Sequence, residues 1–196
     1  MPVSVAFLLG VLGILLVPGP TNTLLAAAGA RAGMRGSLRL VLCTVSGYLI
    51  AISAWHQLLR PLIALHPSGL LLSKVIACAY LIYVIARMYN PRLAAGEAET
   101  AVRPASPTPA RMLVVTLTNP KAAVLALLVF DQSAVNISEF IVFSAIAPSA
   151  AFLWIALGKT LVSAGLLKNP LAISRIAAGI LTVFVGLLIN SIIGAL

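Results

Sequence analysis

Apolar residues run along this chain in blocks of about twenty, and polar residues collect between the blocks. The apolar stretches fall at 3–30, 38–59, 69–89, 111–131, 139–158 and 171–195. Each is long enough to cross a hydrocarbon core roughly 30 Å thick as a helix, which takes about 20 residues. Lipid offers backbone groups no hydrogen bonds, so helices that satisfy their own N–H and C=O groups are the expected element throughout. The joins are short except at 90–110, where Asn90, Pro91, Gly96, Glu97, Glu99, Pro104, Pro107 and Pro109 make a polar linker. The pattern predicts an all-α integral membrane fold of six transmembrane helices, one membrane domain over 1–196, with the linker near its middle.

Composition agrees with that class. The 196 residues are 61% hydrophobic and only 9% charged, against roughly 45–50% and about 25% in soluble domains. A net charge of +9 would raise nucleic-acid binding for a soluble chain, but no basic stripe here is interleaved with aromatic residues, and nucleic acid is excluded as a partner. Most cations instead punctuate the apolar blocks. Arg31, Arg35, Arg39, Arg87, Arg92, Arg103, Arg111, Lys159, Lys168 and Arg175 fall on one side of a six-crossing chain, and only Arg60 and Lys74 on the other. The positive-inside rule places the first set, and the linker, in the cytoplasm and both termini outside. Residues 1–30 also carry an apolar core from Phe7 to Val17 and Ala26-Ala27-Ala28, as a cleaved signal would, but no Lys or Arg precedes Arg31, and the stretch is expected to be a crossing.

The reactive residue types are sparse. Cys43 and Cys78 lie in different apolar blocks without metal-ligand spacing, and His56 and His66 have no spaced partner. Packing accounts for the cysteines and an interfacial place for the histidines. No Ser/His/Asp set, paired carboxylates or phosphate loop stands out, so neither enzyme activity nor a cofactor is expected.

The two halves match each other weakly in nearly constant register. Pro20 falls on Pro120; Ala51, Trp55 and Arg60 fall on Ala150, Trp154 and Lys159; Ser73-Lys74-Val75 to Tyr83-Val84 fall on Ser174-Arg175-Ile176 to Phe184-Val185. Three crossings per half is an odd number, so the second copy enters the membrane inverted. This predicts a 3+3 inverted-topology repeat, repeat one at 1–89 and repeat two at 111–196, a design in which two halves rock about a site between them.

Crossings one and four are each expected to break. Val17-Pro18-Gly19-Pro20-Thr21-Asn22-Thr23 interrupts the first, because proline lacks a backbone donor and clashes with the preceding turn; the helix should end near Val17 and restart with Pro20 as its first residue. The restarted N-terminus offers free N–H groups and a partial positive charge suited to a carboxylate. Thr116-Leu117-Thr118-Asn119-Pro120-Lys121-Ala122 is the matching break. Lys121 lies ten residues past Arg111, about 15 Å along a helix and near mid-membrane. An ammonium there costs about 2.5–3.5 kcal/mol and normally faces a polar cavity or a partner. The candidate substrate-binding residues are therefore Pro18, Gly19, Pro20, Thr21, Asn22, Thr118, Asn119, Pro120 and Lys121, with Lys121 also a coupling group; capping of the broken ends is the competing role for the Asn and Thr side chains. Pro148 and Gly47 mark points where the two middle helices could bend. Gly29 and Gly33 form a GxxxG read as close helix packing, which leaves homo-oligomer formation open.

At these residues the chain resembles the LysE/RhtB family of bacterial amino-acid exporters. The likeness runs nearly end to end, through Pro18-Gly19-Pro20 with Gly33-Met34-Arg35-Gly36, Ala79-Tyr80-Leu81-Ile82-Tyr83, Leu117-Thr118-Asn119-Pro120-Lys121-Ala122, and Arg175 with Gly179 and Gly186. The Asn-Pro-Lys element is the most specific. Two positions depart: Gly47-Tyr48, where family members often have an acidic residue after the glycine, and Asp131-Gln132, where they often have Pro-Gln. The resemblance implies proton-coupled export of small amino acids or related metabolites across the bacterial inner membrane, with lipid, protons and an amino-acid-like solute as partners. A thiol-based electron carrier would need cysteines at the two breaks. An ion channel or metal exporter would need clustered carboxylates, and the chain has four acidic residues in all.

Overall fold

The computed structural model describes residues 3–65, 68–89, 107–130, 136–165 and 170–193. Asp131, most of the linker (90–106) and the cations Arg92, Arg103 and Lys168 lie outside the described residues. Every regular element among those described is helical. In chain order they are α1 (Val5–Leu16), α2 (Pro20–Gly36), α3 (Leu38–Leu65), α4 (Gly69–Tyr89), α5 (Pro109–Leu117), α6 (Pro120–Val124), α7 (Ile137–Ser163) and α8 (Pro170–Ile193). A single π turn, Leu125–Val129, continues α6, and the Phe130 N–H donates to Leu125 O at 3.0 Å. Leu38–Leu58 within α3 and Ile137–Gly158 within α7 are each long and apolar enough to cross a membrane. The pairs α1 with α2 and α5 with α6 pass the same test as bent spans, at 63° and 46°.

Helices in lipid gain little from burying apolar surface against one another, so close packing and hydrogen bonds must hold them. The largest helix contacts are α2 with α7, α3 with α5, and α4 with α8. The first is a backbone contact: a Cβ added to Gly29 would lie 2.0 Å from Ile155 O, and one added to Gly158 would lie 2.0 Å from Ala26 O. Gly47 of α3 instead makes room for a side chain, since a Cβ there would sit 2.9 Å from Thr116 Cβ of α5. Along the core, Phe7 of α1 stacks edge-on with Phe130 at 5.2 Å, Phe130 meets Phe143 of α7 at 5.8 Å, and Phe143 meets Tyr48 of α3 at 6.2 Å. The outside is apolar as well: Val5, Leu9, Leu42, Ile50, Ile141 and Val183 are all more than half exposed. That many exposed aliphatic side chains suit lipid and not water.

Two expectations change. Gly29 packs against a neighbouring helix as the GxxxG reading holds, but Gly33 does not: it has φ +67° and ψ −172°, and a Cβ added there would have nothing within 4 Å. That backbone region is open to glycine alone, so Gly33 ends the straight run of α2 and turns the chain toward α3. Pro148 lies inside the continuous helix α7, and Gly47 inside α3. At Gly47 the close approach of α5, and not a bend, explains the missing side chain.

These contacts order the glycines by consequence. Gly29→Ala and Gly158→Ala should each lower the unfolding temperature in detergent most, since a backbone must retreat; overpacking costs about 1–3 kcal/mol or more. Gly33→Ala should cost about 1–3 kcal/mol through strain, and Gly179→Ala, with nothing within 4 Å, should cost nothing.

Candidate functional site

The site begins as a problem of unsatisfied carbonyls. In an unbroken helix, Leu15 O and Val17 O would accept from the N–H groups four residues on. The Val17-Pro18-Gly19-Pro20 run ends α1 at Leu16 and restarts α2 at Pro20, so both carbonyls lose those partners. The Asn22 side-chain amide donates to both, at 2.7 Å each. Trp154 Nε1 of α7 gives Leu15 O a second donor at 3.3 Å. The Lys121 ammonium donates to Val17 O across the interior. Each carbonyl thus has two donors, its full capacity.

The second break is built the same way. Thr108 caps α5, its hydroxyl accepting from the Arg111 N–H at 3.2 Å. Pro120 cannot supply the N–H that Thr116 O would need, and the Asn119 N–H donates there instead at 3.2 Å. Asn119 Oδ1 accepts from the Lys121 N–H at 3.0 Å and starts α6 as its N-cap.

Side chains of the two breaks then join. Asn119 Nδ2 donates to Thr21 Oγ1 at 2.8 Å and to the Tyr48 hydroxyl at 3.4 Å. Thr116 spends its single hydroxyl hydrogen on Met112 O at 2.8 Å. In its 3.4 Å contact with Thr21, the threonine at 21 is therefore the donor. Thr21, Asn22, Tyr48, Thr116, Asn119 and Lys121 are all buried, Lys121 to 5% exposure. The amine also packs against Gly19, where a Cβ would sit 3.3 Å from Nζ and 3.1 Å from Cε; the glycine leaves room for it.

Electrostatically this centre is one cation among neutral donors and acceptors. Among the described residues no carboxylate pairs with Lys121, and Val17 O is its side chain's one hydrogen-bond partner. The C-terminal end of α1 carries a partial negative charge, worth about 0.3–1 kcal/mol to a nearby cation. That is less than the roughly 2.5–3.5 kcal/mol cost of a buried ammonium in a membrane. The hydrogen bond to Val17 O supplies the rest of what holds the amine inside the protein. No group of three His, Cys, Asp or Glu side chains forms among the described residues.

Of the residues expected at the site, Gly19, Thr21, Asn22, Asn119 and Lys121 come together. Pro18, Pro20 and Pro120 shape the turns that bring them there. Thr118 does not join: its hydroxyl is exposed and donates back to Val114 O at 2.9 Å. Sequence reasoning missed Thr116, Tyr48 and Trp154 as members. Thr116 precedes Pro120 by one helical turn, a spacing that puts both on one face, and Tyr48 follows the packing glycine Gly47. Asn119→Ala should take a donor away from Thr21 and Tyr48 and uncap α6, lowering stability by about 1–3 kcal/mol. Thr118→Ala should shift it by no more than about 0.5 kcal/mol. Thermal unfolding of the two variants in detergent checks the contrast.

The family model of LysE type translocators matches residues 12–192, which takes in both breaks and all but the outer ends of the helices. No curated relative and no solved structure matches. With that span covered, and with apolar helices that pass for membrane spans around a buried polar centre, the chain is a membrane protein that belongs to the LysE type translocator family.

Proposed function

We propose that the chain is a proton-coupled secondary transporter that exports small amino acids or related metabolites across the bacterial inner membrane. It crosses six times as two inverted three-helix repeats, both termini outside. The observation that carries the reading is the buried Lys121 ammonium, held at the meeting point of two broken helices with a backbone carbonyl as its partner. A solute carboxylate is the group that would complete it. The N-terminus of α2, which starts at Pro20, would share that charge; the Asn22 and Asn119 amide nitrogens already donate within the protein, so their oxygens are what would remain to accept from a solute's donors.

The packing supports the repeat. Exchanging the halves turns the contact of crossing one with crossing five (α2 on α7) into that of crossing four with crossing two (α5 on α3), and the contact of α4 with α8 into itself. A two-fold exchange of this kind is what an inverted repeat requires.

Export of preloaded radiolabelled amino acids from proteoliposomes tests the proposal. Lys121→Ala should reduce export by more than about tenfold, equivalent to 1.4 kcal/mol. Lys121→Arg keeps the charge but cannot release a proton near neutral pH; it should retain solute binding and lose the response to an imposed pH gradient. Export by Lys121→Ala at the wild-type rate would sink the assignment.

A further inference from the structure

A cavity of about 270 Å³ opens where α2 ends, α3 begins and α5 begins, with Arg31, Arg39, Ala32, Leu40, Pro107 and Pro109 in its wall. Its size is slightly below the roughly 300–1,000 Å³ of drug-sized ligand sites, which suits a smaller solute. Its two charged lining residues are both arginines, and Arg35 and Arg111 are close in sequence.

The same three helices carry the polar centre further in. From Thr21 to Arg31 along α2 is about 15 Å, from Tyr48 back to Arg39 along α3 about 14 Å, and from Thr116 back to Pro109 along α5 about 11 Å. The three paths agree. Between the ends lies one apolar layer. Leu25 is one turn beyond Thr21, Met112 one turn before Thr116, and Val41 two turns before Tyr48, spacings that keep each on the inward face of its helix. Leu25 and Met112 are fully buried, Val41 nearly so, and all three belong to one cluster with Ala28 and Leu40, which reach the cavity wall.

We propose that this cavity is the mouth of the solute path, a first site for the carboxylate of a small anionic or zwitterionic solute, shut off from Lys121 by a gate of Leu25, Val41 and Met112. The inference rests on the transporter reading above, whose solute it specifies further. Arg31 and Arg39 raise the local concentration of anions, which clefts of one charge sign do by about tenfold or more. The gate keeps the mouth dry beyond Leu25 until the helices part. Closure by apolar side chains holds back water and ions without any fixed bond that must be broken.

Thiol reactivity tests mouth and gate without reference to export. In a background carrying Cys43→Ala and Cys78→Ala, single cysteines are placed at the mouth (Ala32→Cys) and in the centre (Thr116→Cys). The reagents are two methanethiosulfonates of similar size, one bearing a sulfonate and one a quaternary ammonium. Ala32→Cys should react about tenfold faster with the anionic reagent, and Arg39→Gln should shrink that ratio while Arg39→Lys preserves it. Thr116→Cys should react about a hundredfold more slowly than Ala32→Cys, and Met112→Ala or Leu25→Ala should raise its rate at least about tenfold. Equal rates for the two reagents at the mouth would overturn the anion site. A centre already reactive, or one unmoved by both truncations, would overturn the gate. Should the Lys121 variants export normally while this pattern holds, the path survives and the assigned role of Lys121 falls.

Discussion

Everything in the interior follows from two carbonyl oxygens, those of Leu15 and Val17, that a proline-broken helix leaves without their own N–H partners. In hydrocarbon such groups cost several kcal/mol each. The break at Pro18 to Pro20 therefore persists only because three side chains from elsewhere, Asn22, Trp154 and Lys121, donate to it. One of the three is the cation that the second break holds. Each interruption is thereby the condition for the other: the first supplies the acceptor that Lys121 needs, and Lys121 supplies a donor that the first needs. A polar centre that would be expensive on either helix alone becomes tolerable where the two meet.

Much of this could be read along the chain. The apolar blocks foretell the helices to within a few residues, since each run ends where Pro, Gly or polar residues gather. Both breaks are legible because proline's missing donor is a covalent property and not a matter of context. Lys121 announces itself by depth. What the chain does not display is which neutral residues meet across helices. Thr116 and Tyr48 join the centre through the crossing of α3 and α5, which depends on the bare backbone at Gly47. Thr118 looks as suitable as Thr116 by type, yet two residues around a helix turn it by about 200°, onto the outer face. Gly33 likewise reads as a packing glycine by spacing, while its dihedral angles give it a turn to make.

Family membership and geometry speak to different things. The LysE type translocator match covers nearly all of the chain and sets its general kind. The centre itself is a lone ammonium, two amides, two threonine hydroxyls and a phenol, with no carboxylate pairing with the ammonium among the described residues. Tyr48 in particular brings a neutral hydroxyl to Asn119.

The glycine contacts of α2 with α7 and of α3 with α5 have a mechanical meaning as well. Where so little space separates two helices, backbone on backbone between α2 and α7 and backbone on the Thr116 side chain between α3 and α5, neither can slide past the other without lifting away, so each couple behaves as one stiff beam. Thr21 belongs to the first beam, and Tyr48 and Thr116 to the second. The hydrogen bonds among Thr21, Thr116 and Asn119 therefore lie along the seam between two stiff bodies, where shear would be felt first. A centre placed there senses the relative position of the beams through contacts only a few ångströms long.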